Sequence, residues 1–211
     1  MKKLLIIGAR GWGREVFGML PDCLGYGTEF VVKGFLDDKV DALAAFEGYP
    51  PIVDSVEHYQ PQEDDVFICA LGEPKWKRHY AEIMLAKGGQ FINIIHGRAY
   101  LGKNTTLGKG CILSKDVSVS CDIKIGDFVT LQRLVTIGHD SSIGDYCNVG
   151  AMSFMGGGAS LGEETTVFPG SNILPHIKVG NRCVVGAGSV VVRRVKDGKT
   201  VFGNPARVMD Y

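Results

Sequence analysis

The sequence lacks the features that mark nucleic-acid-binding, membrane-spanning or disulfide-rich proteins. Lys and Arg together number 23, as do Asp and Glu, so no large net charge attracts nucleic acid or an anionic membrane. No apolar run approaches the roughly 20 residues of a transmembrane helix. The six cysteines include no CxxC pair, and reduced thiols in a cytoplasmic protein are the simplest interpretation.

A signal peptide is also not expected. The opening MKKLLIIGAR has two lysines and an apolar run, but the run is short, breaks at Gly8 and lacks a small-residue cleavage site. We therefore expect a first β-strand there. What the sequence has in excess is glycine, with 29 residues among 211, which is nearly twice the usual share of about 7%.

A six-residue repeat runs through the second half of the chain. From Leu101 to Val191, all 16 residues taken at intervals of six are aliphatic or Met. By chance this would occur in one frame on the order of once in 10^5. Residues two positions earlier are small or β-branched, and alternate residues of a strand share a side, so both positions are expected to face inward. The repeat predicts short strands separated by sharp corners.

Three such strands make a coil of about 18 residues, so residues 99–192 predict about five stacked coils. Ten of the 16 repeat residues are followed by Gly, which we expect to begin each corner because it tolerates positive φ. Cys111, Cys147 and Cys183 share one inward register, 36 residues apart. They are predicted to be small core residues rather than metal ligands or redox groups.

The first 95 residues do not repeat and alternate between strand and helix patterns. A buried strand, a glycine turn (Gly8, Gly11, Gly13) and a helix from near Arg14 come first. A second strand ends at Asp37 and Asp38, a third covers residues 66–72, and Pro74 opens a helix that reaches about Lys87. The alternation predicts a small parallel sheet of the Rossmann type.

The glycine turn and the two aspartates suggest a nucleotide site. Such a turn aims backbone N–H groups and a positive helix end at a phosphate. An acidic residue after the second strand can accept from a ribose hydroxyl. The glycine spacing is GxxGxG rather than the dinucleotide GxGxxG, so a tight turn with two solvated aspartates is the alternative.

Together the two halves resemble the sugar O-/N-acetyltransferase family, which includes sialic acid O-acetyltransferases and UDP-4-amino-sugar N-acetyltransferases. The matching segments, in order, are IIGARGWGREV, GFLDD, INIIHGRA, TIGHDSSIGDY, VVGAGSVVVRRV and VFGNPARVM. The resemblance implies a Rossmann-like sugar-nucleotide-binding domain (residues 1–95). It implies a left-handed parallel β-helix after it, an acyltransferase domain with a C-terminal tail (residues 96–211). It also implies a cytoplasmic homotrimer with acetyl-CoA bound between subunits and no metal.

His139 is the candidate general base. It lies two residues after Ile137, so it is expected to point away from the coil interior at a corner. A neutral imidazole can take a proton from a sugar amine or hydroxyl, and a carboxylate beside it strengthens it as a base. In the family the histidine at this position is the base and the next residue, here Asp140, assists it. Direct attack on the thioester in a ternary complex then needs no Ser or Cys nucleophile. The alternative is an exposed surface histidine.

The resemblance also assigns binding positions. Those for acetyl-CoA fall on Asn148, where the family often has a second histidine, and on Pro169 and Ala187. Those for the sugar nucleotide fall on Arg10, Gly11, Trp12, Asp37 and Asp38. Trp12 stands where the family commonly has a histidine, and it can stack on a base or sugar or pack internally. The basic tail residues Arg193, Arg194 and Lys196 are candidates to bind the phosphates of CoA. The alternative is a solvated basic end.

Other functions stay open on the sequence alone. One is O-acetylation of a sialic-acid-like sugar, and another is a non-catalytic trimeric scaffold. An NAD oxidoreductase is disfavoured by the glycine spacing. A trimeric zinc site needs three converging histidines, and the coils offer only His139 and His176.

Overall fold

The computed structural model describes residues 1–209, and the chain forms two compact units, Met1–His96 and Gly97–Tyr211. Each has its own apolar core. The predicted fold class, a Rossmann-like α/β unit followed by a parallel β-helix, is confirmed. Among the described residues, no helix is long and apolar enough to cross a membrane.

The first unit contains a four-stranded parallel sheet. Its elements are β1 (Lys2–Ile7), α1 (Gly11–Met19), a 3-10 turn (Leu20–Asp22), β2 (Phe30–Leu36), β3 (Ile52–Asp54), β4 (Asp65–Cys69), α2 (Pro74–Ala86) and β5 (Ile94–Ile95). The strand order is β3-β2-β1-β4. From β1, the chain therefore places β2 and then β3 on one side, and β4 pairs with the other side of β1. Ligands of such sheets bind beyond the carboxyl ends of the strands at this reversal.

Two details of this unit differ from the sequence expectation. Helix α1 begins at Gly11, three residues before Arg14, because its first turn includes part of the glycine turn. A Cβ on Gly13 would lie 1.8 Å from the carbonyl oxygen of Gly8, so only glycine allows this close approach. Strand β3 was not predicted, because its three residues follow two prolines and are too few to show a period.

The second unit is a β-helix built from two-residue strands. Sixteen of them, β6 to β21, follow at six-residue intervals: Tyr100–Leu101, Thr106–Leu107, Ile112–Leu113, Ser118–Val119, Lys124–Ile125, Thr130–Leu131, Thr136–Ile137, Ser142–Ile143, Asn148–Val149, Phe154–Met155, Ser160–Leu161, Thr166–Val167, Asn172–Ile173, Lys178–Val179, Val184–Val185 and Val190–Val191. A C-terminal hairpin, β22 (Thr200–Gly203) and β23 (Ala206–Val208), follows them.

Every third strand pairs in parallel at an offset of 18 residues, as Thr136 does with Phe154. This gives three sheets: β7-β10-β13-β16-β19, then β6-β9-β12-β15-β18-β21, and β8-β11-β14-β17-β20 continued by the hairpin. The predicted coil length is therefore correct. The stack is consistent with a left-handed β-helix.

The interior of the coils follows the predicted registers. Cys111, Cys147 and Cys183 are fully buried, which confirms that they are core residues. Their thiols donate to backbone carbonyl oxygens, as Cys147 Sγ does to Gly162 at 3.0 Å. Burial raises the pKa of the Cys183 thiol, which keeps it protonated.

The predicted reason for the corner glycines is wrong. Positive φ occurs three residues after the inward aliphatic residue, mostly at non-glycine residues such as Asp140 and Tyr146. The glycine directly after the strand is required instead by the next coil. A Cβ on Gly138 would lie 2.5 Å from the backbone nitrogen of Gly157, and one on Gly144 would lie 2.7 Å from that of Glu163.

Candidate functional site

A pocket of about 240 Å³ lies in the first unit, at the carboxyl ends of β1, β2 and β4. Three of the predicted sugar-nucleotide residues line it, namely Arg10, Asp37 and Asp38. Other lining groups are Gly8, Trp76 and Tyr80. The pocket therefore occupies the point of strand-order reversal where an open parallel sheet binds ligands.

The glycine turn forms one wall of this pocket. Gly8 has a φ of +98°, and Arg10, the residue that precedes α1, has an exposed side chain. Gly11 is exposed and has open space where a Cβ would be. The first N–H groups of α1 have no partners within the helix, so they are available to an anion placed beside Gly11.

Asp37 and Asp38 have different roles despite their adjacency. Asp37 is 9% exposed, and its carboxylate accepts from the backbone N–H of Ala9 at 2.8 Å and of Lys39 at 3.0 Å. It therefore ties the end of β2 to the glycine turn. Asp38 is exposed and accepts from the hydroxyl of Tyr80 at 2.5 Å. That hydrogen bond, followed by burial, raises the pKa of Tyr80.

Trp76 and Tyr80 are pocket residues that the sequence analysis did not identify. Both lie in the first half of α2, and their rings are 6.3 Å apart. Trp76 is 45% exposed, which leaves a large aromatic face beside the pocket. The available signal was Pro74, which opens a helix directly after β4, because helices that follow the strands of a parallel sheet begin at its carboxyl edge.

Trp12 lies in the first turn of α1 and is half-buried, but it does not line the pocket. Its indole Nε1 is buried and has no hydrogen-bond partner within residues 1–209. An indole N–H usually finds an acceptor when it is buried. The structure therefore does not bring Trp12 into the pocket with Arg10, Asp37 and Asp38.

His139 and Asp140 form a hydrogen-bonded pair at a corner of the β-helix. The His139 Nδ1 atom lies 2.6 Å from Asp140 Oδ2, and the two side chains are 62% and 68% exposed. Asp140 has a φ of 57°, a left-handed conformation that Asp tolerates better than most residues. A carboxylate only accepts hydrogen bonds, so in the neutral imidazole the proton is on Nδ1 and Nε2 carries the lone pair.

Nε2 of His139 is directed at a glycine of the next coil. A Cβ on Gly157 would lie 2.7 Å from it. The imidazole therefore occupies the space that a side chain at position 157 would fill. Among the described residues, the backbone N–H of Gly157 donates to no protein acceptor, while its carbonyl accepts from His176 N–H at 2.9 Å.

A second carboxylate lies one coil before His139 on the same corner. Asp122 Oδ1 accepts from Asn104 Nδ2 at 2.8 Å. This hydrogen bond, one from Cys121 and the charge of His139 hold the pKa of Asp122 below its usual value. His139 is thus placed next to two acidic side chains.

The residues expected to contact acetyl-CoA lie elsewhere on the coil. Pro169 and Ala187 are exposed and stack at another corner, where Gly188 N–H donates to the carbonyl of Pro169 at 3.0 Å. Asn148 lies in β14 between corners and is 7% exposed. One chain therefore does not bring these residues together with His139. Arg193 and Arg194 are exposed and, by strand register, do lie on the His139 corner.

Within residues 1–209, no group of three or more His, Cys, Asp or Glu side chains could hold a metal ion. The site chemistry available on this chain is that of an imidazole, two carboxylates and backbone amides.

Comparison with known proteins covers both units. The profile of the PglD N-terminal domain matches residues 3–84, and that of the bacterial transferase hexapeptide (six repeats) matches residues 158–193. No curated protein matches the sequence significantly.

Solved structures share the whole architecture. The acetyltransferase domain of PglB from Neisseria gonorrhoeae FA1090, in complex with acetyl coenzyme A, is 27% identical, with a TM-score of 0.88 and 99% of each chain covered. PerB from Caulobacter crescentus, in complex with CoA and GDP-perosamine, is 25% identical, with a TM-score of 0.89 over 100% of this chain and 98% of that one. WeeI from Acinetobacter baumannii AYE shares the fold at 21% identity, with a TM-score of 0.76 over 99% and 100%. The resemblance to hexapeptide-repeat sugar acetyltransferases is confirmed.

Proposed function

We propose that this hexapeptide-repeat sugar acetyltransferase moves an acetyl group from acetyl-CoA to an amino group of a nucleotide-linked sugar. The observation that carries the proposal is the His139–Asp140 pair, with Nε2 directed into the space beside Gly157. Acetyl-CoA and GDP-perosamine are bound by the similar proteins described above. Attack by a hydroxyl is the alternative outcome of the test below.

The His139 imidazole is the general base of the reaction. Asp140 accepts from Nδ1–H, so it fixes the tautomer and stabilises the imidazolium that forms. The sugar nitrogen attacks the thioester carbonyl carbon while Nε2 takes one of its protons. The C–S bond then breaks, and CoA leaves with the sulfur. The negative charge on the carbonyl oxygen needs a preorganised donor, and we assign the N–H of Gly157, which has no protein acceptor within residues 1–209, to this role.

The pocket of the first unit holds the nucleotide part of the acceptor. The N-terminus of α1 and the Arg10 guanidinium are suited to a diphosphate, because both favour negative charge. The exposed carboxylate of Asp38 is suited to accept from a ribose hydroxyl, and the exposed ring of Trp76 is suited to stack on the base.

The acetyl-CoA site is completed by a second subunit. His139 lies at one corner of the coil, while Pro169 and Ala187 lie at another. A single acetyl-CoA molecule lying in one groove therefore does not contact His139 and the Pro169 corner of the same chain. In a homotrimer, the His139 corner of one subunit meets the Pro169 corner of its neighbour. Each of the three grooves then contains one complete set.

An exposed apolar stripe supports this assembly. Leu134 and Met152 are stacked at the Pro169 corner and are 51% and 63% exposed, and Phe154 and Phe168 beside them are 39% and 47% exposed. The sheet of β7, β10, β13, β16 and β19 presents Thr, Lys and Ser outward instead. Apolar patches of this kind mark interaction surfaces.

We also assign the chain to the cytoplasm. All six cysteines are free thiols, and five of them are buried. Proteins in reducing compartments keep their cysteines in this form.

The test is release of CoA thiol from acetyl-CoA with a panel of UDP-, GDP- and dTDP-linked 4-amino sugars and free sialic acid. Wild-type protein is expected to release thiol with an amino sugar. His139→Ala should lower kcat by roughly 10²–10⁴-fold, the usual contribution of a general base. Its affinity for acetyl-CoA, measured by calorimetry, should change little.

His58→Ala is the matched control, since His58 is an exposed histidine of the first unit. A His139→Ala protein with normal turnover contradicts the assignment of the base. Thiol release with sialic acid alone moves the assignment to a hydroxyl acceptor.

A further inference from the structure

The corner that carries His139 has one step without side chains. The residue pairs at this corner, one per coil, are Lys103–Asn104, Cys121–Asp122, His139–Asp140, Gly157–Gly158, Pro175–His176 and Arg193–Arg194. Within the described residues, Gly157–Gly158 is the only pair on this corner made of two glycines. We call this pair the glycine step.

Two imidazoles occupy the space of the glycine step from opposite sides. Nε2 of His139, one coil before it, lies 2.7 Å from the position of a Cβ on Gly157. Nδ1 of His176, one coil after it, lies 2.5 Å from the position of a Cβ on Gly158. Backbone hydrogen bonds connect the three coils, from Gly158 to His139 at 2.8 Å and from His176 to Gly157 at 2.9 Å. Both rings therefore lie at the level of one coil.

We propose that His176 is a second acid–base group of this site, whose imidazolium protonates the CoA sulfur as the thioester breaks. The proposal rests on the proposed function, because it assigns the leaving-group step of that reaction. His139 then serves the attacking nitrogen and His176 serves the departing sulfur, each from one side of the glycine step. Side chains at positions 157 and 158 would separate the rings from a thioester placed there.

The step is balanced in atoms and charge. As the C–N bond forms, His139 takes one proton from the sugar nitrogen. As the C–S bond breaks, the sulfur takes the bonding electron pair and accepts the proton of the His176 imidazolium, giving a neutral thiol. Solvent then returns a proton to His176 and removes one from His139. No oxidant or reductant is involved.

The charges on the corner are consistent with this division. Asp140 lies beside His139, and Asp122 lies one coil before it. Both carboxylates place negative charge next to the base that becomes cationic. Arg193 and Arg194 lie one coil beyond His176, and Lys178 follows it in β19. The acidic side chains of this corner therefore lie on the His139 side of the glycine step, and its two arginines lie on the His176 side.

The kinetic test compares His176→Gln with wild type over about pH 6 to 9, where imidazole protonation changes. We expect kcat to fall by roughly 10²-fold, the lower end of acid–base contributions, because a thiolate leaves readily even without a proton. The decline of kcat at high pH should also disappear, since that limb reports the acid. His176→Gln with a wild-type kcat and pH profile overturns the proposal while leaving the function intact.

A pair of glycine variants tests the shared space. Gly158→Asn should reproduce the kcat loss, because Asn tolerates this left-handed position, as Asn104 does, but collides with the His176 ring. Gly198→Asn is the control, since Gly198 has the same backbone conformation and open space around it. Equal activity of the two variants contradicts the shared space.

A readout independent of activity is the NMR titration of the His176 ring in wild type and in His139→Ala. If the rings share the glycine step, loss of the His139 charge should raise the His176 titration midpoint measurably. An unchanged midpoint overturns the proposal even if no acceptor is found. Absence of thiol release by the wild type contradicts the proposed function instead.

Discussion

Asp37 and Asp38 show how neighbouring side chains of one type divide between structure and binding. Asp37 is buried and accepts hydrogen bonds from the backbone N–H groups of Ala9, in the glycine turn, and of Lys39. Asp38 is exposed and bonds to a side chain of α2. The sequence places both after β2, but their partners are supplied by segments up to 42 residues away.

We expect Asp37→Ala to destabilise the first unit by about 1–3 kcal/mol, since it leaves the buried N–H of Ala9 without an acceptor. Asp38→Ala should change stability by less than about 0.5 kcal/mol, as surface substitutions usually do. It should instead weaken binding of the nucleotide sugar and lower the pH at which Tyr80 ionises. Thermal denaturation, calorimetry and ultraviolet titration measure the three effects. Equal destabilisation by both variants contradicts the division.

At the scale of the element, the β-helix depends on close approach between coils rather than on turn propensity. Most of the glycines that directly follow a strand lie against the backbone of the next coil, as Gly144 faces the nitrogen of Glu163. Left-handed corner positions accept side chains such as Asp140 and Tyr146. Crowding between stacked backbones, which no local pattern reports, decides where glycine is needed.

We predict that Gly144→Ala lowers the stability of the β-helix by about 1–3 kcal/mol, the usual cost of overpacking. Gly18→Ala in α1 is the control, and it is expected to raise stability rather than lower it. Its Cβ would meet nothing within 4 Å, so the higher helix propensity of Ala should stabilise the helix by about 0.5–1 kcal/mol. Differential scanning calorimetry of both variants measures the shifts. A Gly144→Ala protein that melts like wild type contradicts the crowding argument.

At the scale of the whole molecule, two corners of the β-helix carry separate parts of the proposed site. His139 and Asp140 are at one corner, while Pro169 and Ala187 are at another, next to the exposed Met152. In the proposed homotrimer, assembly of three chains brings these parts together and covers the apolar stripe.

Met152→Lys should therefore dissociate the trimer, because it places a charge in an apolar contact at similar side-chain size. Sedimentation velocity should show monomers, with loss of acetyl transfer. Lys124→Glu, on the polar sheet that faces outward through β10, is the control and should remain trimeric. Wild type that sediments as a monomer contradicts the assembly.

The coil length, the inward residues and the outward position of His139 follow from the sequence alone, because a six-residue period is a local property that repeats 16 times. The sequence also indicated the parallel sheet through its alternation of strand and helix. The tertiary structure alone decided what surrounds these residues. Tyr80 meets Asp38 at the sheet edge, and Trp76 lines the same pocket. His139 meets Gly157, and His176 meets Gly158, only because 18-residue coils stack. Contacts between distant segments depend on the folded path of the chain, which local periodicity does not contain.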